Sequence, residues 1–162
     1  MKTKIISAFP ACGKTYCSEN KQNLFNGILD SDSSNFSWVK ENGKRKRNPN
    51  FPKNYIEHIK ENIEEVEIIF ISSHNIVRKA LEDNNIEYYL IYPDINLKNE
   101  WVERFIRRGN SDKFIEFIKN KWEYFITEMD METFPTKIRL PYKGRSYIDT
   151  DILIGIMDYK EN

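Results

Sequence analysis

Short apolar runs alternate along the chain with longer stretches in which apolar residues recur every three or four positions. The short runs fit strands buried on both faces, whereas the wider spacing gathers apolar side chains on one side of a helix. Read this way, a strand over 4–7 leads into a loop and a helix over 14–23, and a second strand follows over 27–30. A helix over 55–66 presents Tyr55, Ile56, Ile59, Ile63 and Val66, and the most hydrophobic run, 68–71, is expected at the sheet centre. A helix over 76–84 follows, then a strand over 88–92 stopped by Pro93 and a helix over 97–108 ended by Gly109-Asn110. Ser111-Asp112 starts a longer helix to about residue 129, with Phe114, Ile118, Trp122 and Ile126 on its apolar side. A fifth strand is expected over 137–140, and residues 148–158 fit a last helix or a strand-helix turn. Strands alternating with helices predict an α/β fold with a parallel sheet covered by helices.

Residues 33–53 break this rhythm. Phe36 and Trp38 precede Lys44-Arg45-Lys46-Arg47, then Pro49 and Pro52. The stretch is expected to leave the core as a lid-like insert or a mobile loop.

With 162 residues and 40% of them hydrophobic, the chain suffices for one compact domain, expected to span 1–162. Lys and Arg (25) balance Asp and Glu (25), so no global field draws the protein to nucleic acid or an anionic membrane, and any polyanion contact must be local. Cys12 and Cys17 read as reduced thiols of a cytoplasmic protein. No long apolar span or secretory leader is visible, so membrane insertion is not expected.

The chemistry concentrates in the first loop. Residues 8–15 read Ala-Phe-Pro-Ala-Cys-Gly-Lys-Thr, between a strand and a helix. In the pattern G-x-x-x-x-G-K-[ST], backbone N–H groups surround phosphates, the lysine reaches the β- and γ-oxygens, and the hydroxyl binds Mg²⁺. Gly13, Lys14 and Thr15 fill its last three positions, and Ala8 replaces the first glycine. Pro10, Ala11, Cys12, Gly13, Lys14, Thr15 and Tyr16 are therefore the expected ATP-binding set, with Thr15 at the metal. The small polar run Asp30-Ser31-Asp32-Ser33-Ser34 stands at the end of the second strand, where open α/β sheets place ligand contacts.

On these residues the chain resembles the nucleoside monophosphate kinase type of P-loop protein, and small phage-type deoxynucleotide kinases in particular. Only residues 8–15 carry a specific motif; the rest matches by order and spacing. The resemblance implies a three-layer P-loop fold with a five-stranded parallel sheet in the order 2-3-1-4-5. It also implies that 33–53 is an acceptor-side insert, that 94–110 is a lid-like segment, and that the loop carrying Arg145 lies against the adenine of ATP. One departure is that the strand over 68–71 runs into Ser72-Ser73 with no aspartate. Mg²⁺ would then rely on Thr15, ATP oxygens, water and Asp30 or Asp32.

Phosphoryl transfer needs alignment and positive charge on the moving oxygens. Lys14 and mobile arginines supply it, and Arg104, Arg107 and Arg108 are the candidates, with Arg104 and Arg108 sharing a helix face. Asp30 and Asp32 suit deprotonation of a hydroxyl acceptor, and equally the binding of metal-bound water or a sugar. The leading expectation is an ATP- and Mg²⁺-dependent kinase acting on a nucleotide or nucleoside-type small molecule. A kinase acting on a hydroxyl such as a nucleic-acid 5′ end is an alternative, with Lys44 to Arg47 gripping the strand. A nucleotide-binding module without transfer is another, for which Ala8 and the missing aspartate after Ile71 are the warning signs. Oligomeric state is not read from the sequence.

Overall fold

A computed structural model describes residues 2–159. Its strands and helices, in chain order, are β1 (Lys4–Ala8), α1 (Lys14–Asn20), β2 (Ile28–Asp30), α2 (Ser34–Ser37), β3 (Trp38–Glu41), β4 (Lys44–Arg47), α3 (Lys53–Asn62), β5 (Ile68–Ser72), α4 (Asn75–Asp83), β6 (Tyr89–Pro93), α5 (Lys98–Arg107), α6 (Asp112–Asp130), β7 (Thr136–Leu140) and α7 (Thr150–Asp158). Five strands form one parallel sheet in the order β2-β5-β1-β6-β7. Counting only these five, that is the 2-3-1-4-5 order the resemblance implied. Register sets Ala8 beside both Ser72 and Ile91, so three strand ends meet at one edge. The chain leaves β1 for one side of the sheet and later passes to the other, and ligands of open α/β sheets gather where connections diverge in this way.

Burial explains the order. Ile6, Ile68, Ile69, Phe70, Ile71 and Leu90 are wholly buried, as central strands covered on both faces must be. Helix α6 closes one layer with Trp122 and Ile126; the Phe9 ring meets Trp122 edge-on at 5.7 Å, and Trp101 lies 6.2 Å from Trp122. Arg78 on α4 is buried, and Glu128 of α6 and Glu132 just beyond its end neutralise it. That pairing ties α4 to α6 without leaving a charge bare.

Two helices stop earlier than expected, each because a side chain captures the backbone beyond it. Gln22 accepts from the Ile28 N–H at 3.0 Å and donates to the Ile28 carbonyl at 2.8 Å, which ends α1 at Asn20 and starts β2. The Thr3 hydroxyl accepts from Glu64 N–H at 2.7 Å and donates to Val66 O at 2.6 Å, turning the chain out of α3 toward β5. Residues 33–53 are not irregular. Asn42 and Gly43, with φ of 52° and 74°, make a tight turn between β3 and β4, a separate antiparallel ribbon. Two left-handed residues are what a two-residue hairpin turn requires. Residues 150–158 form a helix, capped by Asp149, whose carboxylate accepts from Ile152 N–H at 2.9 Å. Among the described residues no helix is long and apolar enough to cross a membrane.

Candidate functional site

The carboxyl edge of β1 opens into a cleft of about 1310 Å³. Ala8 is the last residue of β1, fully buried and extended in register with its neighbours. A methyl therefore fits where the motif has its first glycine. The left-handed backbone falls instead on Ala11 (φ 65°) and Gly13 (φ 101°). For alanine that conformation costs about 1–2 kcal/mol, so other contacts must hold it. Helix α5 supplies them: Trp101 Nε1 donates to Pro10 O and Arg104 to Ala11 O, both at 2.8 Å.

Arg104 is thus not the mobile lid residue expected. It is 3% exposed, donates also to Ser146 O and Ser146 Oγ, and pairs with Glu100 at 2.9 Å. Its guanidinium lies between the rings of Trp101, at 3.9 Å, and Tyr147, at 3.6 Å. A side chain held on every side positions the loop and does not swing over it. Segment 94–110 as a whole is likewise no detached lid, since Leu97, Trp101 and Phe105 anchor it in the core. Its far end differs: Arg107 and Arg108 are exposed, line the cleft and have no carboxylate partner among the described residues.

Lys14 lies half-buried across the loop, its Nζ donating to Ala8 O at 2.8 Å. Burial pushes its pKa down, and the carboxylate of Asp30 works against that. Beside it the Thr15 hydroxyl donates to Asp30 Oδ2 at 2.9 Å. Lysine, hydroxyl and carboxylate are thereby gathered at one point, although residues 15 and 30 come from different elements. Asp32 is exposed, and its Oδ1 accepts from Ser34 N–H at 2.8 Å. Between the two carboxylates Ser31 is buried, with an Oγ that finds no partner; Ser72 Oγ, from β5, is in the same condition. Both serines line the cleft. Tyr55 donates to Ser31 O at 2.6 Å, and burial pushes its phenol up to about 12, so it stays a donor that pins this turn.

Among the described residues no group of three or more acidic, histidine or cysteine side chains is placed to hold a metal ion. The Thr15–Asp30 pair with its neighbouring free hydroxyls nevertheless suits a hydrated hard cation that takes its other ligands from phosphate. Of the remaining expected residues, Pro10, Ala11, Gly13 and Tyr16 line the cleft. Cys12 does not: it is buried, and desolvation pushes its thiol up to about 12. Arg145 also stands outside the cleft, exposed on the turn closed by its N–H to Tyr142 O at 3.0 Å, while Tyr147, two residues on, faces in. His74 lines the mouth, and desolvation followed by the nearby Lys14 charge holds its imidazole below the ordinary range.

The opposite wall is the hairpin. Trp38, Arg45 and Arg47 line the cleft, with the two guanidinium carbons over the indole at 4.3 and 4.1 Å. The basic run was visible in the sequence; that one face of it looks into the cleft follows from strand pairing.

In comparison with known proteins, the chain matches no protein-family model and no curated protein matches it.

Proposed function

We propose that this cleft, on a P-loop kinase-like domain, carries out ATP- and Mg²⁺-dependent phosphoryl transfer to an acceptor of nucleotide or nucleoside type. The observation that supports it most is the meeting of Lys14, Thr15 and Asp30 at the mouth of a loop whose strained residue is clamped from behind. Such rigidity is what phosphoryl transfer asks of a protein, because catalysis there is chiefly positioning and charge stabilisation. Lys14 would exchange its bond to Ala8 O for a phosphate oxygen. Arg107 and Arg108 bring mobile charge to the transferring group, and Arg104 keeps Ala11 in its left-handed conformation. Thr15 and Asp30 would hold Mg²⁺, which when bound neutralises phosphate oxygens. Asp32, with Oδ2 unengaged among the described residues, orients the acceptor or takes its proton. The reading without transfer loses one of its supports, since Ala8 occupies a strand position that needs no glycine.

Incubation with γ-labelled ATP and a panel of nucleoside monophosphates, nucleosides and 5′-hydroxyl oligonucleotides should move label into an acceptor only with Mg²⁺. Lys14→Ala should abolish both ATP binding and transfer; affinity retained by that variant would sink the proposal.

A further inference from the structure

Rows of charge on the hairpin distinguish its two faces. Strand pairing sets Trp38 opposite Arg47 and Lys40 opposite Arg45, so these four share one face, while Val39, Glu41, Lys44 and Lys46 share the other. On the outer face Lys46 is paired with Glu41 at 2.7 Å. On the cleft face Lys40, Arg45 and Arg47 are exposed and have no carboxylate partner among the described residues. Arg45 and Arg47, two positions apart on an antiparallel strand, stand about 7 Å apart along it. These cations are additional to Lys14 and the arginines at the end of α5, which line the same cleft and which the proposed transfer uses. A free mononucleotide brings one phosphate; a row of unpaired cations leading out of a cleft matches a chain that brings one per nucleotide. The same cleft is lined by Asp32, whose Oδ2 is unengaged among the described residues. A free carboxylate oxygen is a partner for a hydroxyl.

We infer that the acceptor is the terminal hydroxyl of a single-stranded nucleic acid, with the strand's phosphates laid along Arg47, Arg45 and Lys40. The inference rests on the phosphoryl-transfer reading for its donor. The hydroxyl oxygen attacks the γ-phosphorus, the bond from that phosphorus to the β-bridging oxygen breaks, and the hydroxyl proton passes to Asp32. ADP leaves, and the strand ends in a phosphomonoester.

Binding and transfer test it separately. Short single-stranded DNA and RNA oligonucleotides carrying an internal fluorophore are titrated with the protein by anisotropy, without ATP and across a salt series. Saturable binding is expected. Arg45→Ala/Arg47→Ala should weaken it at least about tenfold and lower the salt slope by about 1.4, at roughly 0.7 per phosphate contact on a single strand. Lys44→Ala/Lys46→Ala, on the outer face, should change affinity by less than about twofold. Arg45→Lys/Arg47→Lys should keep the slope, showing that loss in the alanine pair is not misfolding. With γ-labelled ATP, oligonucleotides ending in a 5′- or a 3′-hydroxyl identify which end is used. Absence of saturable binding at low salt, or equal loss in both alanine pairs, overturns the inference. So does transfer confined to mononucleotides, which would leave the donor reading intact. Strand binding with no transfer to any acceptor instead overturns the donor reading, and the terminal-hydroxyl step falls with it.

Discussion

The loop after β1 and the β3–β4 hairpin line the same cleft but are built in opposite ways. The loop is left-handed at Gly13 and at Ala11, strained at the alanine, and is gripped by Trp101, Arg104 and the Ile148 N–H. The hairpin relies on its own turn and on tethers at its base, where Asn48 and Asn54 donate to Phe36 O at 3.0 and 2.9 Å. Nearly every residue from Val39 to Arg47 is exposed. One wall is thus organised before any ligand arrives, at the expense of folding stability; the other can adjust to what it meets. On the proposed function, rigidity falls where a bond would be made and compliance where the acceptor would enter.

The strongest way to break that contrast is to remove the clamp. Arg104→Ala should lower unfolding free energy by about 3–5 kcal/mol in urea, because it leaves Glu100 half-buried without its cation and Ala11 O without its donor. A loss below about 1 kcal/mol would show that the loop holds itself. Gly13→Ala should be next, destabilising by about 1–2 kcal/mol, since φ 101° is poor for alanine and the new methyl would touch Tyr147 at 3.4 Å. On the other wall, Gly43→Ala meets open space and is strained only by its φ of 74°, so the expected effect is confined to the hairpin. Amide exchange over residues 38–47 should accelerate, while the global urea midpoint moves by no more than about 1 kcal/mol equivalent. Faster exchange throughout the sheet would mean the ribbon is not independent.

The smallest effect is a pH dependence. His74 has a depressed pKa, first from desolvation and then from Lys14, so the unfolded chain takes up a proton at higher pH than the folded one. Its contribution is present above the ordinary histidine value of about 6.5 and is lost as pH falls through that value. His74→Gln should therefore lose less stability than the parent between about pH 7 and pH 5 in urea titrations; superimposable pH curves would dismiss the effect.

Much of the fold was legible because periodicity reports burial. The five sheet strands were found at nearly their observed bounds, since apolar runs such as 68–71 have no other stable home. The order of the strands came only through the resemblance carried by residues 8–15. The hairpin was missed although Asn42-Gly43 is a strong turn signal, because its strands are polar on both faces and show no alternation of apolar with polar positions. At the site, the structure places Lys14, Thr15 and Asp30 near one another, as the strand ends they follow imply. Arg104 was misjudged as mobile. The spacing that places it with Arg108 also places it with Trp101, which is buried, and with Glu100, which pairs with it, and that was the available signal. Ser31 and Ser72 were visible as small polar residues at strand ends, whereas Tyr147 gave no local sign, because an inward-facing ring is decided by distant neighbours.

The stretch around Ile148 has a temporal consequence. Ile148 N–H donates to Cys12 O at 2.9 Å, Ile148 O accepts from Cys17 Sγ at 3.4 Å, and Ser146 O accepts from Arg104. A ribosome makes residues 8–15 long before 146–148, so the turn after β1 emerges without its last fastenings. A growing polypeptide would be unable to fix that turn until residue 148 has been added.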